Sequence, residues 1–167
     1  MADIHRQYSN YGIDGYYTNF KNEYNNPHEQ YVKGRLDQLE LKGTIIDFCC
    51  GDGLVTKHLH QNKSLNFIGI DGFLSERYRK ETGYECFTLK FKDMISNIPV
   101  VVNIAIASYC IDLIPYSMLN QIMWNLSQSV NKIVTIRPNK HTLPYSFLEE
   151  DFRYKCGKSN MIIYNCN

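Results

Sequence analysis

The 167-residue chain has no apolar run of membrane-spanning length, no C-x-x-C pair, no low-complexity tract and no internal repeat. Each absence excludes something. A helical span needs about 20 consecutive apolar residues, so no contact with a membrane is expected. The polar opening "MADIHRQYSNYG" lacks the apolar core of a signal peptide, so a cytoplasmic, reducing setting is expected rather than export. There Cys49, Cys50, Cys86, Cys110, Cys156 and Cys166 should be thiols serving core packing, and no metal site is expected. A net charge of +1 gives no general pull on nucleic acid, which leaves a local basic patch as the one route to RNA. No linker divides the sequence. One domain over residues 1–167 is the expectation, with 44% hydrophobic and 21% charged residues matching globular composition.

Residues 1–26 form a tyrosine-rich stretch in which Tyr8, Tyr11, Tyr16, Tyr17 and Tyr24 follow no sustained period. An irregular arm with at most one short helix is expected, suited to act as a lid over a ligand or a stacking surface for a base. Over residues 27–43 a helix is expected, with Asn26 as cap, Pro27 at the first helical position, Glu29 reaching back to the cap and Gly43 ending it.

From there short apolar runs alternate with helix-like pieces. "TIIDFC", "LNFIGID", "CFTLKF", "VVNIAIAS" and "KIVTIRP" read as strands buried on both faces, with helices over residues 54–62, 73–82 and 115–130 between them. This succession predicts an α/β fold, a Rossmann-like three-layer αβα sandwich on a mostly parallel sheet, with the ligand-binding core in residues 44–138. Residues 139–167 should supply a loop and an antiparallel hairpin, "DFRYKC" and "NMIIYNC", turning at Gly157-Lys158-Ser159.

The stretch "DFCCGDG" carries the chemistry. In a doubly wound sheet the ligand lies at the carboxyl ends of the strands, where Gly51 and Gly53 allow a tight turn and close approach to bare backbone. A dinucleotide fingerprint needs a third glycine where Thr56 stands, and Asp47 would repel a pyrophosphate. A ligand with an ammonium group would offset the cost of a buried Asp47 carboxylate. Asp71, closing "FIGID", can accept hydrogen bonds from two ribose hydroxyls. An amino acid joined to a nucleoside satisfies both acids, and S-adenosylmethionine is such a molecule.

Over residues 43–138 the sequence resembles the class I S-adenosylmethionine-dependent methyltransferases, "DFCCGDG" matching their glycine-rich first motif and "GID" the acidic end of their second strand. The family's usual glycine or alanine is replaced by Cys49. The resemblance implies that Asp47, Cys49, Gly51 and Gly53 line the methionine part of the cofactor and Asp71 its ribose. It also implies that Ser108 and Tyr109, ending the fourth strand, stand beside the transferred methyl. Asp93 falls where the family often contacts the adenine amino group, and a helix cap is the equal alternative. "YNNPHE" is similar to a segment preceding the glycine motif in a group of small methyltransferases. That adds His28 and Tyr17 to Ser108 and Tyr109 as candidate catalytic residues.

Further residues expected to touch an acceptor are Tyr16, Asn139 and His141, and His28 or His141 can act as base because imidazole titrates near neutrality. Lys33, Asp112, Lys140 and Glu149 resemble the catalytic set of RNA ribose methyltransferases only in order. The Asn/Asp-Pro-Pro-Tyr sequence of base-amine methyltransferases is absent, and Cys110 lacks a preceding proline, so a core thiol is expected there. The basic residues Lys132, Arg137, Lys140, Arg153, Lys155 and Lys158 concentrate late in the chain, where they can guide RNA or an anionic small molecule. The expected activity is methyl transfer. The alternatives are an inactive methyltransferase-like subunit supporting a partner protein and a bare nucleotide-binding regulator. Both acids being intact weighs against the inactive subunit, since no structural role requires the two.

Overall fold

The structure, a computed structural model, describes residues 4–138, 142–156 and 159–167. Five strands lie parallel: β1 (Gly43–Phe48), β2 (Leu65–Ile70), β3 (Cys86–Phe87), β4 (Val102–Ser108) and β5 (Val130–Arg137). Two more, β6 (Leu148–Cys156) and β7 (Ser159–Cys166), form an antiparallel hairpin that adds to β5 through β7. The sheet order is β3-β2-β1-β4-β5-β7-β6. Connections from β1 run outward through β2 to β3, then return to the other side of β1 at β4. The β1/β4 boundary is therefore the switch point, where the connections on either side diverge and leave a crevice.

The two-sided apolar runs produce two cores because successive strand residues point to opposite faces. Ile46 and Phe48 of β1 join Ala105, Ala107 and Ile133 under α5 (Phe91–Met94) and α6 (Tyr116–Ser129), while Ile45 joins Phe67, Ile106 and Val134 under α2 (Glu29–Leu36) and α3 (Leu54–Leu59). On that second side, α4 (Ser75–Thr82) seats Tyr78 on Gly69 of β2, where a Cβ would come within 2.7 Å of the ring. The sandwich and terminal hairpin match the sequence expectation. Gly157 and Lys158 of the expected turn lie outside the described residues.

Three local expectations are corrected. Residues 1–26 are not mainly irregular: α1 runs Ile4–Phe20, with a kink at Gly12 (φ 68°, ψ 169°). Aromatic contacts among Tyr8, Tyr16, Tyr17 and Phe20 supply the packing that the weak period of the sequence does not announce. The next helix is shorter than residues 27–43: α2 begins at Glu29 with His28 as its N-cap, so Asn26 and Pro27 precede it. Asn26 does accept the His28 amide at 2.9 Å, but Glu29 pairs with Lys33 instead of reaching back. Gly43 does not end it; with φ 84° it opens β1, its α-carbon facing Asn103, whose side-chain oxygen would lie 2.5 Å from a Cβ. Finally, the third strand contributes only Cys86–Phe87 to the ladder, because Lys90 and Asp93 start α5 three residues later.

Candidate functional site

A cavity of about 350 Å³ opens at the carboxyl ends of β1, β2 and β4, within the range of small-molecule sites. Its floor is made by the residues that leave the strands. Cys49 after β1 and Tyr109 after β4 both have left-handed backbones, φ 55° and φ 53°. Such backbone costs a non-glycine residue about 1–3 kcal/mol, and it collects where a site must be shaped. Two neighbouring strands exit the same way, at the β1/β4 boundary where the connections diverge.

Asp71 is the best-defined polar group in the wall. It is 9% exposed, and its carboxylate accepts from the Gly51 amide at 3.0 Å and from the Phe73 and Leu74 amides at 2.8 Å each. These bonds join the glycine turn to the entry of α4 and partly offset burial, which pushes Asp71 above the usual carboxylate range. Gly51 lines the same wall, with φ 56°; a Cβ there would press on the Tyr24 ring at 3.3 Å.

Asp47 does not line the cavity. It lies 2% exposed beneath the turn, where its carboxylate accepts from Thr56 Oγ1 at 2.8 Å and from the Thr56 amide at 3.2 Å. Burial outweighs those bonds and pushes Asp47 up to about 7. Gly53 is also away from the cavity. Its φ is 85°, and a Cβ would come within 2.5 Å of Thr82 and 3.0 Å of the Tyr78 ring, so its glycine serves the packing of α3 on α4. Both acids thus have structural work, contrary to the expectation that neither structure nor packing requires the pair. Asp93 lies outside the cavity wall and, rather than standing before α5 as its N-cap, sits in the helix's first turn, where its carboxylate reaches back to accept the amide of the N-cap Lys90 at 2.9 Å.

The expected catalytic residues Tyr17, His28, Ser108 and Tyr109 do converge on the cavity. His28 stacks on Tyr109, and Tyr17 stacks on Phe73 with 4.7 Å between centroids. The Tyr8 and Tyr17 hydroxyls meet at 2.9 Å, and burial pushes Tyr8 up to about 12 and raises Tyr17 and Tyr24 well above an ordinary phenol. These phenols stay protonated at neutral pH, so none is a base. Tyr16 is instead enclosed by Tyr8, Tyr17 and Phe20 and does not reach the cavity. Asn139, Lys140 and His141 lie outside the described residues.

Among the wall residues not singled out from sequence are Asp14, Phe73, Lys90 and Phe91. Phe73 follows Asp71 by two positions, the signal that could have found it. Lys90 places its ammonium 4.7 Å above the Phe73 ring and pairs with Asp14 of α1 at 3.0 Å, while Arg77 donates to the Tyr24 carbonyl at 3.0 Å. These contacts hold the arm over the site. The thiols pair inward. Cys50 and Cys86 lie 3.6 Å apart, and Cys110 with burial raises Cys49 well above an ordinary thiol, so both of the paired cysteines at the turn stay neutral. Among the described residues no cluster of potential ligands can hold a metal ion, and no helix is long and apolar enough to cross a membrane.

Lys33 and Glu149 stand outside the cavity, so the ribose-methyltransferase order of residues is not a spatial set. Asp112 does line it but is held by the Arg137 guanidinium, and Lys132 and Arg153 pair with Asp151 and Glu150.

No protein-family model matches the chain, and no curated protein sequence does. Solved structures do. An O-methyltransferase family protein from Burkholderia thailandensis superposes with a TM-score of 0.69 at 11% identity, over 93% of this chain and 59% of its own. The N-methyltransferase NodS from Bradyrhizobium japonicum, in complex with S-adenosyl-L-homocysteine, gives 0.64 at 10% identity over 85% and 89%. A TehB-like SAM-dependent methyltransferase from Corynebacterium glutamicum gives 0.66 at 12% identity over 97% and 99%. The fold is that of the class I methyltransferases. The chain therefore spans about three fifths of the Burkholderia protein and nearly all of the Corynebacterium one.

Proposed function

We propose that the chain is an S-adenosylmethionine-dependent methyltransferase with its donor and acceptor sites in the cavity above β1 and β4. The observation that carries this reading is Asp71, a buried carboxylate aimed by three backbone amides, one of them from the glycine turn, in the wall of a nucleoside-sized cavity. S-adenosylmethionine supplies a methyl group on a sulfonium, open to in-line displacement.

The chain's own residues divide the remaining work. Three amides leave Asp71 one free acceptor position, on Oδ2, and it takes a ribose hydroxyl. Gly51 brings bare backbone to the wall. Phe73, stacked on Tyr17 beside Asp71, gives the end that takes the base an apolar wall, and Tyr8 and Tyr17 cover that end and keep water out. At the other end Ser108, Tyr109 and His28 surround the position of the acceptor. Tyr109 orients the imidazole by stacking, and His28 takes the proton when the acceptor carries one.

Thermal denaturation with S-adenosylmethionine, S-adenosylhomocysteine, NAD and ATP tests the reading, since a ligand selective for the native state stabilises it by about 2.7 kcal/mol at 100 times its Kd. The first two are expected to raise Tm and the others not. Asp71→Ala should weaken S-adenosylhomocysteine binding by about 1.5–3 kcal/mol in calorimetry. Stabilisation by NAD or ATP alone, or unchanged affinity in folded Asp71→Ala, sinks the proposal.

A further inference from the structure

The outer face of α6 is built unlike a solvent face. Charged residues make up about 25–35% of an ordinary surface, yet none of the 14 residues of this helix is acidic or basic. Its exposed positions are Tyr116, Ser117, Asn120, Gln121, Trp124 and Gln128. Tyr116 is 92% exposed and Trp124 42%. The patch continues beyond the helix: Phe147 packs edge-on to Trp124 at 5.1 Å, Tyr145 stacks on Phe147 at 5.2 Å, and the exposed neighbours Pro144 and Ser146 are again uncharged. Asn125 donates to the Met94 and Ile95 carbonyls at 2.8 and 2.7 Å, which fixes the helix and therefore the ring beside it.

Exposed aromatics with charge depleted are the composition of an interface core. A nucleic acid would ask for lysine and arginine on this face, and α6 offers none. We propose that the face is an interface between two copies of this chain. A neutral face is electrostatically complementary to itself, whereas a charged one repels its copy. The residue spacing also suits a two-fold axis. Tyr116 and Trp124 lie four residues to either side of Asn120, about 6 Å along the helix in each direction. Antiparallel pairing of α6 centred on Asn120 sets Tyr116 of each copy against Trp124 of the other, and the reciprocal contact is what a two-fold interface requires. The Asn120 amides, each both donor and acceptor, meet at the axis.

A helix of this length is about 21 Å long, so it supplies the centre of an interface rather than all of the ~800 Å² per partner of a standard one. The pairing should be reversible and dependent on concentration. It would also bring the second copy to the rim of the cavity, since Pro115 and Met118 at the start of the helix line it. The inference stands apart from the proposed chemistry, because no catalytic residue enters it.

Sedimentation velocity of the full chain over roughly 1–200 µM, spanning the usual range of reversible association, decides the question. The mass is expected to rise from 19.5 kDa toward twice that value. Trp124 is the single tryptophan, so its emission should shift to the blue over the same range. Tyr116→Glu, at the most exposed position, should hold the protein at monomer mass with an unchanged circular dichroism spectrum, and Trp124→Glu should do the same. A wild-type chain that stays at monomer mass throughout, or a Tyr116→Glu variant that associates as the wild type does, overturns the inference.

Discussion

The imidazole of His28 lies flat on the ring of Tyr109, 3.9 Å between centroids and 11° between planes. The contact ties the segment before α2 to the residue leaving β4, so the N-terminal part of the chain completes the cavity rather than trailing from it. The backbone of Tyr109 is anchored, its amide donating to the Ile136 carbonyl at 2.7 Å. A ring pair of this kind contributes about 0.5–1.5 kcal/mol beyond its buried area. At ~2–4 °C per kcal/mol for a chain of this size, His28→Ala should lower Tm by a few degrees. His28→Phe should restore Tm without restoring proton transfer. Calorimetry beside an assay of S-adenosylhomocysteine release separates the roles, and an unchanged Tm in His28→Ala would show that the stack carries no stability.

The two glycines of the turn should fail differently. At Gly53 a side chain meets both a left-handed backbone and the Thr82 and Tyr78 side chains. Strain of about 1–2 kcal/mol and overpacking of about 1–3 kcal/mol should combine, so Gly53→Ala is expected to cost roughly 2–5 kcal/mol. At Gly51 the only neighbour within 3.5 Å is the Tyr24 ring, and the cost should stay near 1–2 kcal/mol. Affinity should rank the other way: Gly51→Ala loses S-adenosylhomocysteine binding, while the folded fraction of Gly53→Ala keeps it. Urea unfolding and calorimetry on both variants test the pair of rankings, and the reverse order in either would remove the distinction between a packing glycine and a binding one.

These assignments mark what was legible in the sequence. The strands were, because β1, β2, β4 and β5 are apolar on both faces, and so was the place of the crevice, since the glycine turn and Asp71 close consecutive strands. Asp47 and Gly53 were misread because adjacency in sequence does not say which face a residue takes. Asp47 shares its face with Ile45 and so turns toward α3, and the Gly53 constraint comes from Thr82, 29 positions away. The tyrosine-rich stretch was legible as a cover for the site, but the part played by Phe73 was hidden for a similar reason. Phe73 meets Tyr17 through long-range packing, and α1 shows no strong periodicity because its rings pack on one another and on Phe73.

The arm should report on ligand binding. It is held by exposed or half-buried contacts, Lys90 to Asp14 and Arg77 to the Tyr24 carbonyl, rather than by the main core. Such segments open at low free energy and become protected when a ligand is enclosed. Hydrogen exchange with S-adenosylhomocysteine should therefore slow across residues 16–24 as well as 51–53. Slowing confined to the glycine turn would mean that the tyrosines pack against the core without closing over the ligand.

Asp47 sets the expected pH dependence of stability. Its carboxyl titrates near pH 7 in the folded protein, against about 3.9 in an unfolded chain. Between those values the native state holds a proton that the unfolded state has released, so stability falls as pH rises. The contribution is fully present below about pH 4 and lost as pH rises through about 7; at ~1.4 kcal/mol per pKa unit it is on the order of 4 kcal/mol. Asp71, raised by the same burial, acts in the same direction. Glu150, Glu81 and Glu29 are lowered by basic partners and act oppositely, losing their contribution only on acidification. The ligand-free protein should thus be most stable near pH 5 and decline toward pH 8. Asp47→Asn keeps an oxygen for Thr56 and has no charge to bury, so the decline should flatten in it. Urea midpoints from pH 4.5 to 8 for both proteins test this, and two parallel profiles would mean that Asp47 ionises without cost beneath the glycine turn.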